Sequence, residues 1–297
     1  MLFDYLSLVR LHQWHKNISV FLVLFLNQNS ITKENVWITF VAMLAFICAS
    51  SFVYLMNDFF DRNFDRSHPV KRHRPLAAGR ISPASASVLA SSALTFSILL
   101  GWMVTPMSLM TIILYLLVNV IYSTFGKRIP FFDVILLATG FLLRILCGAY
   151  AIDALISFWF ISIIVLFCFL FGFAKRFVEL TSYNNPTKSR PVLAYYSKEL
   201  LQIIIFLVGS LIVFVYTLYT FSDRCISIFA TESLPYTIPF VFLGVWRFFY
   251  QVFRKGKGED PASLLLQDKM LAGIIMLWAL SFTVLIRWNE WRSMLNG

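Results

Sequence analysis

VWITFVAMLAFICASSFVYLM, residues 36–56, runs without one charged side chain and leads directly into NDFFDRNFDRSHPVKRHRPLAAG, residues 57–79, where acids and bases crowd together. In water the first stretch would expose an apolar surface on every side of a helix; in hydrocarbon it needs no partner, because a helix satisfies its own backbone. Comparable runs occur at 88–104 and 202–221. Across 297 residues the hydrophobic share is 59% and the charged share 13%, with 31 phenylalanines, whereas soluble domains carry roughly 25% charged residues. The bilayer is therefore the expected solvent, and the expected fold class is all-α, a polytopic membrane bundle.

Nine helical spans are expected, at 17–28, 36–56, 85–104, 107–125, 131–151, 155–174, 199–221, 235–253 and 269–287. They are read as one domain, 1–297, built around a central cavity with a cytoplasmic polar cap. The first span is short against the usual requirement of about 20 residues, so the amphipathic stretch before it is expected to extend it. The N-terminal segment and the loops 57–84, 126–130, 175–198 and 254–268, counted with Lys269, hold 19 of the 25 Lys and Arg. That asymmetry places those loops in the cytoplasm and the protein in the cell (inner) membrane.

A net charge of +10 in a soluble protein would suggest nucleic acid. Here the charges sit between apolar runs, so they read as topology signal and as sites for anionic ligands, and no nucleic-acid partner is expected. Arg10, His12, His15 and Lys16 precede an apolar run that leads into further spans, a pattern unlike a cleavable signal peptide. Cys48, Cys147, Cys168 and Cys225 show no CxxC or Cys/His pairing, so neither disulfides nor zinc are expected. His12, His15, His68 and His73 match no zinc spacing either.

The densest chemical signal follows the second span. If the helix continues past the membrane edge, Asp58, Asp61 and Asp65 share a face with Asn57. Acids near a helix C-terminus oppose the macrodipole, so their clustering calls for a compensating cation. Hard oxygen ligands suit Mg²⁺ bridging to a diphosphate. Lys71, Arg72 and Arg74 follow, and with Lys16 they fit either phosphate binding or positive-inside anchoring. Arg144 lies inside a span, where a charge needs a polar cavity or a partner. Asp133, three turns away in the same expected helix, is its natural partner, or else faces the cytoplasmic rim. Tyr122 and Ser123 are hydroxyl donors or plain helix-end residues. Glu259 and Asp268 flank the last cytoplasmic loop as a lid or as helix-start charge, and Arg247 reads as a snorkelling or ion-pair residue.

NDxxDxxxD at the end of a second membrane helix resembles the first aspartate-rich motif of the UbiA superfamily of intramembrane prenyltransferases. Members resembling that pattern carry a second Asp-rich motif after the sixth span and join a prenyl diphosphate to an aromatic acceptor. This sequence departs from it: GFAKRFVEL at 172–180 places Lys175 and Arg176 there, with the single acid Glu179. The departure is similar to the decaprenyl-phosphate phosphoribosyltransferase branch, as are RLHQWHKN at 10–17, YSTFGKRIPFFD at 122–133, GFLLRILCGA at 140–149 and GEDPASLLLQDKML at 258–271. The resemblance implies a Mg²⁺-dependent transfer of 5-phosphoribose from phosphoribosyl diphosphate to a polyprenyl phosphate. Asp58 and Asp61 would be catalytic and Asn57, Asp58, Asp61 and Asp65 would hold the metal. Lys127, Arg144, Lys175 and Arg176 are candidates for the acceptor phosphate or the ribose 5-phosphate. A phosphate monoester is already anionic near neutral pH, so this reaction needs no general base. The alternatives are an aromatic prenyltransferase of the same superfamily and a membrane transporter. Isoprenoid length and oligomeric state leave no mark in the residues.

Overall fold

The computed structural model describes residues 2–27, 31–67, 71–182, 191–229, 231–258 and 260–296, and all regular structure among them is helical. It begins with α1 (Leu2–Leu8), a 3₁₀ segment (Leu11–Phe21), α2 (Leu22–Leu26), α3 (Lys33–Phe60) and α4 (Arg62–Ser67). A 3₁₀ turn (Lys71–His73) precedes α5 (Pro83–Val104), α6 (Pro106–Thr124), α7 (Phe132–Ala151) and α8 (Phe158–Ser182). After a 3₁₀ turn at Pro191–Tyr195 come α9 (Lys198–Thr220), α10 (Asp223–Phe229), α11 (Ile238–Lys255), α12 (Pro261–Gln267) and α13 (Lys269–Asn296).

Seven of these helices are long and apolar enough to cross a bilayer: α3, α5, α6, α7, α8, α9 and the Lys269–Arg287 part of α13. A pair bent by 95°, Asp223–Phe229 with Leu234–Lys255, makes an eighth if it counts as one span. By length and composition the described helices supply seven or eight of the nine expected spans. Of the stretch expected to cross at 17–28, the described residues hold the end of the 3₁₀ segment and the five-residue α2. Asn17, its first residue, is buried among other protein groups, and His12, Gln13, His15 and Lys16 precede it on the same 3₁₀ segment.

The chain packs as two compact units, residues 1–127 with 139–156, and residues 128–138 with 157–297. In the first unit, helix starts follow from local chemistry. Ser82 and Thr105 stand in extended conformation, each followed by proline at the first helical position, and accept the N–H groups of Ser85 and Ser108 at 3.0 Å. Thr32 caps α3 by accepting from Asn35 N at 3.1 Å. Helix α3 has α5 as its main partner, and the seam is made of small residues: Ala42, Ala45, Ala49, Ala86 and Ala90 are buried, and Ser97 Oγ donates to Ala45 O at 2.9 Å. Without a hydrophobic drive between helices in lipid, such close backbone approach is what holds them.

The closest approach in this unit is at Gly148 of α7, where an added Cβ would stand 1.8 Å from the carbonyl oxygen of Val20. That neighbour is backbone and cannot swing aside. Gly148→Ala is therefore expected to destabilise the protein by about 1–3 kcal/mol or more, read as a lowered thermal midpoint in detergent. Gly273→Ala, with nothing within 4 Å, should leave the midpoint unchanged. Equal midpoints for the two variants would refute the contact.

In the second unit α8 lies along α9, around a core that includes Leu170, Phe173, Phe177, Leu201, Ile205 and Phe248. Ser197 caps α9 by accepting from Leu200 N at 3.1 Å. Helix α11 ends at Gly256, whose left-handed φ of 61° lets its N–H turn back to Gln251 O.

Candidate active site

Helix α3 carries Asn57 and Asp58 on its last turn and stops at Phe60, with Asp61 as the capping residue. The chain holds its helical course through that stop, since Asp61 N donates to Asn57 O at 2.9 Å and Asp65 N to Asp61 O at 2.8 Å. Asp58 and Asp65, two turns apart, are buried, at 4% and 1% exposure. Two carboxylates out of water repel each other and lose hydration unless cations meet them. Arg74 Nη1 meets both, 3.0 Å from Asp58 Oδ1 and 2.8 Å from Asp65 Oδ2. Arg10 Nη2 adds a contact of 2.7 Å to Asp58 Oδ1.

Arg10 reaches Asp58 from a left-handed turn after α1 (φ 53°), and its guanidinium lies 4.7 Å from the centre of the Tyr54 ring. It is not among the site residues that the sequence points to. The only signal for it is its place at the head of RLHQWHKN. Asn57 accepts from Ser123 Oγ at 2.7 Å, so the expected hydroxyl at the end of α6 does join the acidic turn.

Other expected residues stand apart from this pair. Asp61 makes no side-chain hydrogen bond or ion pair among the described residues. Arg72 is exposed and directs Nε to its neighbour His73 at 3.4 Å. Lys16 and Tyr122 are half-buried, each with an interaction of its own. Lys127 is half-buried in the 3₁₀ turn Gly126–Arg128. The side chain of Lys71, and His68 and Glu259 entirely, lie outside the described residues.

Deeper in the same unit Arg144 is 6% exposed. Nε donates to Asn17 Oδ1 at 3.0 Å, Nη1 to Gly140 O at 2.7 Å and Nη2 to Tyr115 OH at 2.9 Å. The faces of Tyr115 and Phe141 lie 4.7 and 5.4 Å from its Cζ. Dipoles and ring faces, rather than a carboxylate, offset this charge among the described residues.

The expected pairing of Arg144 with Asp133 is overturned. Asp133 belongs to the second unit, where its Oδ2 accepts from Arg176 Nε at 2.6 Å and its Oδ1 from Tyr196 OH at 2.9 Å. Arg176, fully buried, gives Nη1 to Glu179 Oε2 at 2.5 Å. Its charge is already met by two carboxylates, so the expected phosphate contact does not fit this residue. Lys175 beside it is half-buried and has an interaction of its own. Tyr196 OH also accepts from Phe131 N at 2.6 Å. Burial pushes this phenol above its ordinary value, the Asp133 charge adding to the shift, and so keeps it a donor. Arg247 forms the ion pair expected of it, bidentate to Asp268 at 3.0 and 2.9 Å. Asp268 is helix-start charge, accepting from Leu271 N at 2.8 Å, and the Arg247 hydrogen bonds hold its carboxyl below the usual carboxylate range.

The acidic turn bears on a metal in two ways. Among the described residues no three His, Cys, Asp or Glu side chains are grouped as a ready-made site. However, Asp58 and Asp65 converge on one cationic nitrogen, and Asp65 Oδ1 is buried without a hydrogen-bond partner. An all-oxygen pair with an unsatisfied ligand atom fits a hard divalent cation.

The UbiA prenyltransferase family model matches residues 17–280. The chain belongs to the UbiA prenyltransferase family. This UbiA chain is similar to the decaprenyl-phosphate phosphoribosyltransferase of Mycolicibacterium smegmatis, 28% identical over 80% of this chain and 77% of that one. It is likewise similar to the decaprenyl-phosphate phosphoribosyltransferase of Corynebacterium glutamicum, 28% identical over 91% and 82%. The fold matches that of a UbiA homolog from Archaeoglobus fulgidus bound to GPP and Mg²⁺, with a TM-score of 0.71 at 16% identity over 95% of this chain and 99% of that one. Family and fold together make this UbiA chain a multi-pass integral membrane protein of transferase type.

Proposed function

We propose that this UbiA-family protein transfers 5-phosphoribose from phosphoribosyl diphosphate to a polyprenyl phosphate, giving polyprenyl-phosphoryl-5-phosphoribose and diphosphate. The observation that carries the reading is the buried Asp58 and Asp65 pair, bridged by Arg74 and joined at Asp58 by Arg10, on a chain similar over 80% and 91% of its length to two relatives named for that reaction. Asp58 and Asp65, with Asn57 beside them, would hold a divalent cation, Mg²⁺ being the hard ion that oxygen donors and a diphosphate suit. When bound, the ion supplies charge stabilisation for the departing diphosphate.

The remaining work falls to the chain's own side chains. Arg10 and Arg74 supply guanidinium donors at the same turn, able to take phosphate oxygens in fork geometry. Arg144 supplies a charge that no carboxylate among the described residues cancels, suited to the anionic acceptor. An oxygen of the polyprenyl phosphate forms a bond to the anomeric carbon as the bond from that carbon to diphosphate breaks. A single displacement of this kind inverts the centre. Lys and Arg asymmetry supports a cytoplasmic face for the site.

Purified protein should move label from ribose-labelled phosphoribosyl diphosphate into the organic phase only when polyprenyl phosphate and a divalent ion are both present. Polyprenyl diphosphate with 4-hydroxybenzoate should give no prenylated product. A prenylated aromatic product, with the ribose label left in water, would replace this reading by an aromatic prenyltransferase.

A further inference from the structure

Asp58 Oδ1 accepts from two guanidinium groups at once, and Arg74 Nη1 spans two carboxylates at once. These two arginines and two aspartates balance one another in charge. A divalent ion that bridges the two acids through Asp58 Oδ1 or Asp65 Oδ2, at about 2.0–2.1 Å, would have to share that oxygen with a guanidinium already within 3.0 Å of both. Arg74 and the metal thus compete for one place, by position and by like charge. We propose that Arg74, assisted by Arg10, is a resident counter-ion of the acidic pair that a divalent cation must displace.

The proposal rests on the reading of Asp58 and Asp65 as metal ligands and adds to it a role for the arginines. Without metal, they neutralise two buried carboxylates that would otherwise repel each other and open the turn. With metal, they are released from the acids, and the anion that accompanies the metal is the group of opposite charge nearest to hand. Bare metal leaves these four side chains with a surplus of two positive charges, whereas metal together with a diphosphate does not. The site therefore discriminates against the free ion and favours the ion that arrives with its anion. Asp65 Oδ1, buried and without a hydrogen-bond partner among the described residues, is the ligand atom that stands ready for the exchange. Arg74 is a positioning residue in this account, acting on the metal through the carboxylates it holds.

The test is direct binding of Mn²⁺ to purified protein in detergent, followed by electron paramagnetic resonance without substrate. Wild type should bind weakly. Arg74→Gln should bind Mn²⁺ about tenfold more tightly or better, because a unit positive charge a few ångströms from the ligands is gone. Arg10→Gln, which touches only Asp58, should show a smaller gain in the same direction, and it carries the test if Arg74→Gln proves unfolded by its elution and melting profile. Asp58→Asn added to Arg74→Gln should remove the gain. If Mn²⁺ binds wild type and both arginine variants equally, and Asp58→Asn abolishes it, the acids are metal ligands but the arginines are not displaced, and the proposal falls alone. If none of the proteins binds Mn²⁺ in a manner that depends on Asp58, the metal reading falls and the proposal with it.

Discussion

Asp58→Asn is expected to lower phosphoribosyl transfer by about a hundredfold or more, the scale on which removing one charge-stabilising group affects a transition state. Asp58 is the residue on which Arg10 and Arg74 both converge. The amide keeps the shape of the side chain but removes the charge, so Asp65 alone is left to meet Arg74, Arg10 loses its anion, and the pull on a divalent ion is halved. The variant should still elute as a folded protein in detergent, since the amide oxygen can accept the same hydrogen bonds. Asp61→Asn provides the contrast. Asp61 caps α3 but takes no part in the arginine-bridged pair, so its loss should be several times milder in the same radiolabel assay. Equal losses at Asp58 and Asp61 would mean that the spacing of the acids in sequence, rather than the observed pair, organises the site.

The second large effect is expected on stability. Arg176→Met should destabilise the protein by about 3–5 kcal/mol, because it leaves Asp133 and Glu179 without their buried cation. Arg176 is fully buried and holds Asp133 at 2.6 Å, so solvent does little to screen the loss. Asp133→Asn in the same protein should recover part of the difference by removing one of the stranded charges. The measurement is the thermal midpoint in detergent, together with KM for the donor in whatever folded fraction survives. A network role moves the midpoint and leaves KM alone. An unchanged midpoint with a raised KM would return Arg176 to phosphate binding.

Much of this is legible in the sequence, for reasons that individual residues make plain. The run at 36–56 carries no charge, and its helix extends beyond it at both ends, Lys33–Phe60. The acidic turn is legible because three aspartates at helical spacing repel one another unless a cation sits among them, and Arg74 is legible because it follows them closely. Arg10 is hidden because its partner lies 48 residues away, a separation that no local pattern encodes. The pairing of Arg144 with Asp133 fails on length. Eleven positions on one helix separate two residues by about 16 Å at 1.5 Å each, beyond the reach of an arginine. Asp133 has two buried arginines as candidates, and only packing selects Arg176. What hydropathy does not show around 17–28 is the winding: the chain runs there as a 3₁₀ segment that begins at Leu11 and passes into the short α2.

That choice of helix sets a measure along the first unit. Asn17 holds Arg144, and the carbonyl of Val20 abuts Gly148, so three steps on the 3₁₀ segment face four steps on α7. One short segment thus serves α7 twice, holding a buried charge through the Asn17 amide and a bare backbone crossing at Val20. A shift of the segment along its own axis would loosen both contacts together, so the charge and the crossing are fastened by a single clasp.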